Sequence, residues 1–246
     1  MGIGTLLIST GCGTAHSEQA TPWQATALTA ESIAILRSPA FLHDPAGATR
    51  YRQAGLTARQ TGNFKAAIAA LKTAVLLDPT SLDGYVILGW TQHLDGQHAA
   101  AAVSLTEALV RDEQYVPALN ALGIVHLVAG DLDAAIAIHT QAKNLKPDNE
   151  IAYYNLSLAY QRQGNVAAAI AHAQRATELE PQNPHPWVAL ALAYWSQPAI
   201  AEAQAAYRTA LSLNRAYTNR AYLDHLLRAG FSADQIEQVD AIRTAP

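Results

Sequence analysis

Cysteine is almost absent: the sequence holds one, Cys12. That excludes a disulfide within the chain, and with it a cysteine-based zinc cluster. Charge is scarce as well. Asp, Glu, Lys and Arg make up 15% of the 246 residues, against about 25% in an average soluble domain. The net charge is −4, and the Lys and Arg are scattered rather than gathered into a stripe. Binding to phosphate backbones needs clustered positive charge, so no nucleic-acid partner is expected. No apolar run approaches the roughly 20 residues of a membrane-spanning helix. The signatures of a nucleophile elbow, a phosphate-binding loop and a dinucleotide fold are all missing, so no catalytic residue, cofactor or small-molecule substrate is expected.

What is present in place of charge is alanine and glutamine, with 50% apolar residues overall and only 14 Gly and 11 Pro to punctuate them. Alanine is the best helix former, so the composition points to an all-α protein. The glycines set a period. Gly62, Gly96, Gly130 and Gly164 are each 34 residues apart, and the next step falls on Pro198, another helix breaker. A large residue opens each unit: Tyr51, Tyr85, Leu119, Tyr153 and Trp187. Four residues later the side chain is small: Gly55, Gly89, Gly123, Ser157 and Ala191. Two alanine columns follow, Ala67, Ala101, Ala135, Ala169 and Ala203, then Ala74, Ala108, Ala142, Ala176 and Ala210. Three units end on Pro79, Pro147 and Pro181. Small residues let two helix backbones approach closely. Glycine supplies the left-handed turn between them, and proline stops the second helix. One such hairpin cannot bury its own apolar face, so neighbours must stack.

This pattern resembles the tetratricopeptide repeat (TPR), a 34-residue helix–turn–helix unit. The resemblance covers about 48–214 and implies a right-handed α-solenoid of about five hairpins with C-terminal capping helices. The repeats divide as 48–81, 82–115, 116–149, 150–183 and 184–215, and 216–246 forms the cap. In the cap, a helix over Tyr217–Ala229 ends at Gly230, and Ser232 with Gln235 opens a last helix through a capping box. The sequence departs from the repeat pattern at Glu113, where proline is expected, at Pro198 in place of the turn glycine, and at His126 and His139, which occupy aromatic positions.

The resemblance also implies a binding groove lined by the first helix of each repeat. Its inward positions supply Arg52, Val86, Ile87, Trp90, Asn120, Ile124, Tyr154, Asn155, Leu158 and Leu192. The groove is apolar in its middle, with Trp90 and Tyr154 as the side chains that carry most binding energy in such surfaces. The expected ligand is another protein, presented as an apolar helix or an extended peptide. The carboxylate clamp of chaperone-binding relatives is not there. In its first register the clamp positions hold Arg52, Leu56, Ile87, Pro117 and Ala121, and the other registers fail too. Two histidine groupings invite a metal reading, His93 with Asp95 and His98, and His126 with His139. Packed histidines are the plainer one, and no metal is expected.

Residues 1–19 run from an apolar stretch, Ile3 to Ile8, into Ser-Thr-Gly-Cys-Gly and a polar tether. This resembles a bacterial lipoprotein signal, although no Lys or Arg precedes the apolar stretch. It implies lipidation at Cys12 and attachment to an envelope or internal membrane. Residues 20–47 read as a linker with a short helix over 30–37, and the alternative reading has 27–47 fold back and fill the groove. The expected function is therefore a non-catalytic scaffold that binds a partner protein and assists assembly of a membrane-associated complex. The alternatives are a pilotin-like envelope lipoprotein, a cytoplasmic adaptor with Cys12 incidental, and a histidine-based metal-binding protein.

Overall fold

The computed structural model describes residues 43–245. The lipoprotein-like stretch, Cys12 and the helix expected over 30–37 lie outside the described residues. Among the described residues ten helices come first, paired as five hairpins: α1 (Pro45–Gln60) with α2 (Phe64–Leu77), α3 (Leu82–Leu94) with α4 (His98–Arg111), α5 (Val116–Ala129) with α6 (Leu132–Leu145), α7 (Glu150–Arg162) with α8 (Val166–Leu179), and α9 (Pro184–Trp195) with α10 (Ile200–Leu213). Then come a 3-10 turn (Arg215–Thr218), the single-turn α11 (Arg220–Leu223), a second 3-10 stretch (Asp224–Ala229) and α12 (Ala233–Thr244). There is no strand among the described residues.

Local chemistry explains where the helices begin and end. Three of the five second helices open on a polar N-cap whose side chain accepts an otherwise unpaired N–H: Asn63 from Ala66 (3.1 Å), Asp131 from Ala134 (3.4 Å) and Asn165 from Ala168 (3.2 Å). The four turn glycines have φ between 76° and 86°, the left-handed region that L side chains avoid. At the fifth turn, with Pro198 in the sequence, α9 stops at Trp195 and the Ala199 N–H donates back to Gln197 O (2.7 Å). Glu113 needs no proline partner: α4 ends at Arg111, whose guanidinium bonds Pro79 O (2.7 Å) and the Tyr85 hydroxyl (2.9 Å).

Each second helix packs against its own first helix and against the first helix of the next hairpin, while consecutive first helices touch one another as the inner layer. All ten column alanines are buried, Ala74 being the most exposed at 4%. A Cβ on Gly55 would stand 2.6 Å from Leu71 Cγ, and one on Gly89 would stand 2.7 Å from Leu105 Cγ. The same column in the third hairpin sets Gly123 against His139, with 2.5 Å from that Cβ to Nε2. The large residue across the hairpin therefore fills the space the glycine leaves. Tyr51, in the first hairpin, is 46% exposed.

The C-terminal segment differs from the expected cap in form and in place. Over Tyr217–Ala229 the chain forms short 3-10 and α turns rather than one helix. The capping box at Ser232 and Gln235 is present, with both reciprocal hydrogen bonds. The segment does not simply close the end of the stack. Its 224–229 stretch touches α5, and α12 packs on α9 and α10. The reason is apolar content: Leu223, Leu226, Phe231, Ile236, Val239 and Ile242 are all buried in the main core cluster. A terminal strip this apolar must find a face to cover, and the inner face of the last three hairpins is the one in reach.

Candidate functional site

The inner face is thus divided. One part carries the chain's own C-terminal segment, and no other described residue covers the rest. The seam between them is hydrogen-bonded. The Tyr154 hydroxyl donates to Ala229 O (2.8 Å), His93 Nε2 lies 3.4 Å from Arg228 O, and the Gln235 amide donates to Leu158 O (3.1 Å) and Gln161 Oε1 (2.8 Å). Gly230 sits at the closest approach, with φ 97° and no room for a Cβ, which would be 2.9 Å from Leu127 Cδ2 and 3.0 Å from Asn155 Oδ1.

The open part holds two adjoining cavities of about 630 and 400 Å³. Trp90, Ile124, Glu150 and Ile151 line both. Val86 and Asn120 belong to the larger, and Tyr154 and His185 to the smaller. Trp90 is half-buried and stacks on His93, with ring centroids 4.9 Å apart. Asn120 is not free to hold a ligand backbone: its amide and that of Asn149 donate to each other (3.1 and 2.8 Å). Burial pushes the Glu150 carboxyl above the usual carboxylate range.

The predicted groove residues therefore separate into groups. Val86, Trp90, Asn120, Ile124 and Tyr154 come together around the cavities. Leu158, Leu192 and Asn155 are fully buried. Leu158 and Leu192 belong to the same core cluster as the C-terminal segment, and Asn155 lies against Gly230, so an open position for these three is corrected. Ile87 packs against the core cluster of Ile68, Leu71, Val75 and Leu88 rather than into the cavities. Arg52 is half-buried on α1 and lies 3.5 Å from Thr49 Oγ1, away from both cavities. The histidine groupings also resolve. His93 and His98 are paired through their Nδ1 atoms (3.2 Å), His126 faces Asp131 (3.2 Å), and His139 is enclosed with neither ring nitrogen bonded. Among the described residues no three His, Cys, Asp or Glu side chains gather as a metal-ligand group. Sequence reasoning missed the partners supplied from the C-terminal segment, His225, Arg228 and Ala229. The available signal was its run of apolar residues, too many for a solvated cap.

Repeat-family models agree with this architecture. Tetratricopeptide-repeat models match residues 52–116, 95–150, 151–183 and 184–217. The chain belongs to the tetratricopeptide-repeat family. Tetratricopeptide repeats are protein-interaction scaffolds, and the open cavities lie on the inner face that such repeats present. Among solved structures, the crystal structure of MamA protein is 27% identical, covers 69% of this chain and 93% of that chain, and has a TM-score of 0.57. TTC0263, a thermophilic TPR protein of Thermus thermophilus, is 22% identical over 74% of this chain and 98% of its own, with a TM-score of 0.61. MamA from Desulfovibrio magneticus RS-1 is 19% identical over 69% and 96%, with a TM-score of 0.59. These last two likenesses show the fold. No curated protein sequence matches the chain. No helix of the described residues is long and apolar enough to cross a membrane.

Proposed function

We propose that this TPR protein holds a partner protein by seating an apolar helix or extended peptide in the open part of its inner face, against Val86, Trp90, Ile124 and Ile151. One observation carries the reading. The adjoining part of the same face is already filled by short helical turns of the chain itself, with Leu226 and Phe231 buried among the inner-face residues. A surface that accepts one apolar helical segment is chemically suited to a second beside it. Trp90 is the anchor, being large, half-buried and braced by His93. The test is capture from native lysate with wild-type protein and with Trp90→Ala/Ile151→Ala, circular dichroism confirming the variant's fold. A partner enriched by wild type and lost with the folded variant is the expected outcome. Equal capture by both assigns binding to another face and ends this reading.

Attachment to a membrane through Cys12, and a role in assembling a membrane-associated complex, belong to the same proposal. Their support is the sequence around Cys12 alone. Metabolic labelling with a fatty-acid analogue, compared between wild type and Cys12→Ser, tests them. Incorporation that depends on Cys12 supports an anchored scaffold, whether of pilotin type or otherwise. No incorporation in the native host favours the soluble adaptor.

A further inference from the structure

Of the charged side chains that line the two inner-face cavities, Glu150 alone belongs to both, as Trp90 does among the aromatic ones. The backbone fixes its carboxylate there. Asn149, at the N-cap of α7, commits its amide to Asn120 and makes no cap hydrogen bond. The Glu150 carboxylate accepts first-turn backbone N–H groups instead, its own and that of Ile151. Two carboxylate oxygens offer about four lone pairs, so acceptor capacity is left over. Among the described residues Glu150 forms no ion pair. Burial, with the Glu180 charge adding to it, raises its pKa, and Lys146 opposes this from beyond ion-pair distance. The carboxylate has lost water without gaining a cation. The larger cavity carries a second carboxylate, Glu180, which accepts from the Asn183 amide (3.3 Å), against one ammonium, Lys146. Lys146, and Arg228 beside the smaller cavity, are exposed side chains.

A segment that fills these cavities strips the remaining water from Glu150. A purely apolar or an acidic segment would leave the charge buried and unpaired, which is heavily penalised. We infer that the partner's docking segment carries a basic residue among its apolar ones, and that Glu150 and Trp90 select it. The basic side chain pairs with the carboxylate and lies against the indole, whose other side is braced by His93 (ring centroids 4.9 Å apart, 26° between planes). Arginine fits best, because one planar guanidinium can stack on an indole and bond a carboxylate through two N–H groups. The selection acts largely by exclusion: segments without a cation are rejected by the charge they would bury. This inference rests on the docking site proposed above and adds to it the charge of what docks.

The probe is a phage-displayed library of random peptides, selected on the full-length protein. Peptides that no longer bind Trp90→Ala/Ile151→Ala define ligands of this face. They are synthesised with the basic residue kept or replaced by glutamine. Each is titrated calorimetrically against wild type, Glu150→Gln and the control Glu202→Gln, an exposed acid in the first turn of α10. Glutamine at 150 keeps an oxygen for the backbone N–H groups, and circular dichroism checks each fold. The expected peptides are apolar with an Arg or Lys. Glu150→Gln should weaken them about tenfold or more and should strengthen their glutamine versions, while Glu202→Gln changes neither. Face-dependent peptides that lack a basic residue, or binding indifferent to Glu150→Gln, overturn the inference and leave the docking site standing. An absence of any peptide that depends on Trp90 and Ile151 removes the docking site itself, and the inference with it.

Discussion

Replacing His139 by leucine should stabilise the protein and flatten its response to acid. His139 is 0% exposed, and neither ring nitrogen has a hydrogen-bond partner. The same register position carries Leu71 and Leu105 in the two preceding hairpins, each against a glycine as His139 is against Gly123. Leucine therefore has a fitted site, at nearly conserved volume. Leaving a buried polar group unpaired costs about 1–3 kcal/mol, so His139→Leu should gain about that much at neutral pH. Burial lowers the His139 pKa from 6.5 to about 3. The sign follows from that depression. The folded state keeps His139 neutral while the unfolded chain binds a proton below pH 6.5. Stability is full above 6.5 and is lost as pH falls toward 3. At pH 5 the loss from this one group is 1.5 units at about 1.36 kcal/mol each, or about 2 kcal/mol. Urea denaturation of wild type and His139→Leu at pH 7.5 and pH 5, followed by circular dichroism, measures both terms. The gap between the proteins should widen by about 2 kcal/mol on acidification. A variant less stable than wild type at pH 7.5, or a gap that stays constant with pH, would contradict this account of His139.

Other substitutions separate the remaining forces. Gly62→Ala should cost about 1 kcal/mol from backbone strain alone, because φ is 77° and a Cβ there meets nothing; thermal melting beside Gly62→Asn, expected to cost less, checks this. Gly89→Ala should fail for a different reason, the 2.7 Å approach to Leu105 Cγ, and a paired Leu105→Ala substitution should recover part of the loss in denaturant titration. Tyr154→Phe deletes the hydrogen bond to Ala229 O and should cost about 0.5–1.5 kcal/mol, read as faster hydrogen exchange confined to 224–231. Trp90→Ala should weaken partner binding by about 2 kcal/mol or more, roughly thirtyfold, with little change in melting temperature.

The repeat was legible because its chemistry is local. The turn glycines at 62, 96, 130 and 164, and the two buried alanine columns, depend on contacts within one hairpin or between neighbours, and those recur at a fixed sequence distance. Val86, Trp90 and Ile124 could be placed on the inner face for the same reason. Their helix phase follows from the period. Ile87, one residue from Val86, went astray because adjacent residues on a helix straddle the boundary between the inner face and the core, and only packing with Ile68 and Leu71 decides it.

An all-helical stack, its period, its turns and the choice of helices for the inner layer all follow from the order of residues along the chain. What covers that layer does not; it is settled only when distant segments meet. Contacts such as Tyr154 with Ala229, 75 residues apart, and Gln235 with Leu158, 77 apart, join segments that share no period. The strip from Leu223 to Ile242 announces by its apolar residues that it must be buried, but burial free energy has no direction. Which face it covers is set by the length of the turn after α10 and by the Gly230 bend, which together carry it back onto α5, α9 and α10.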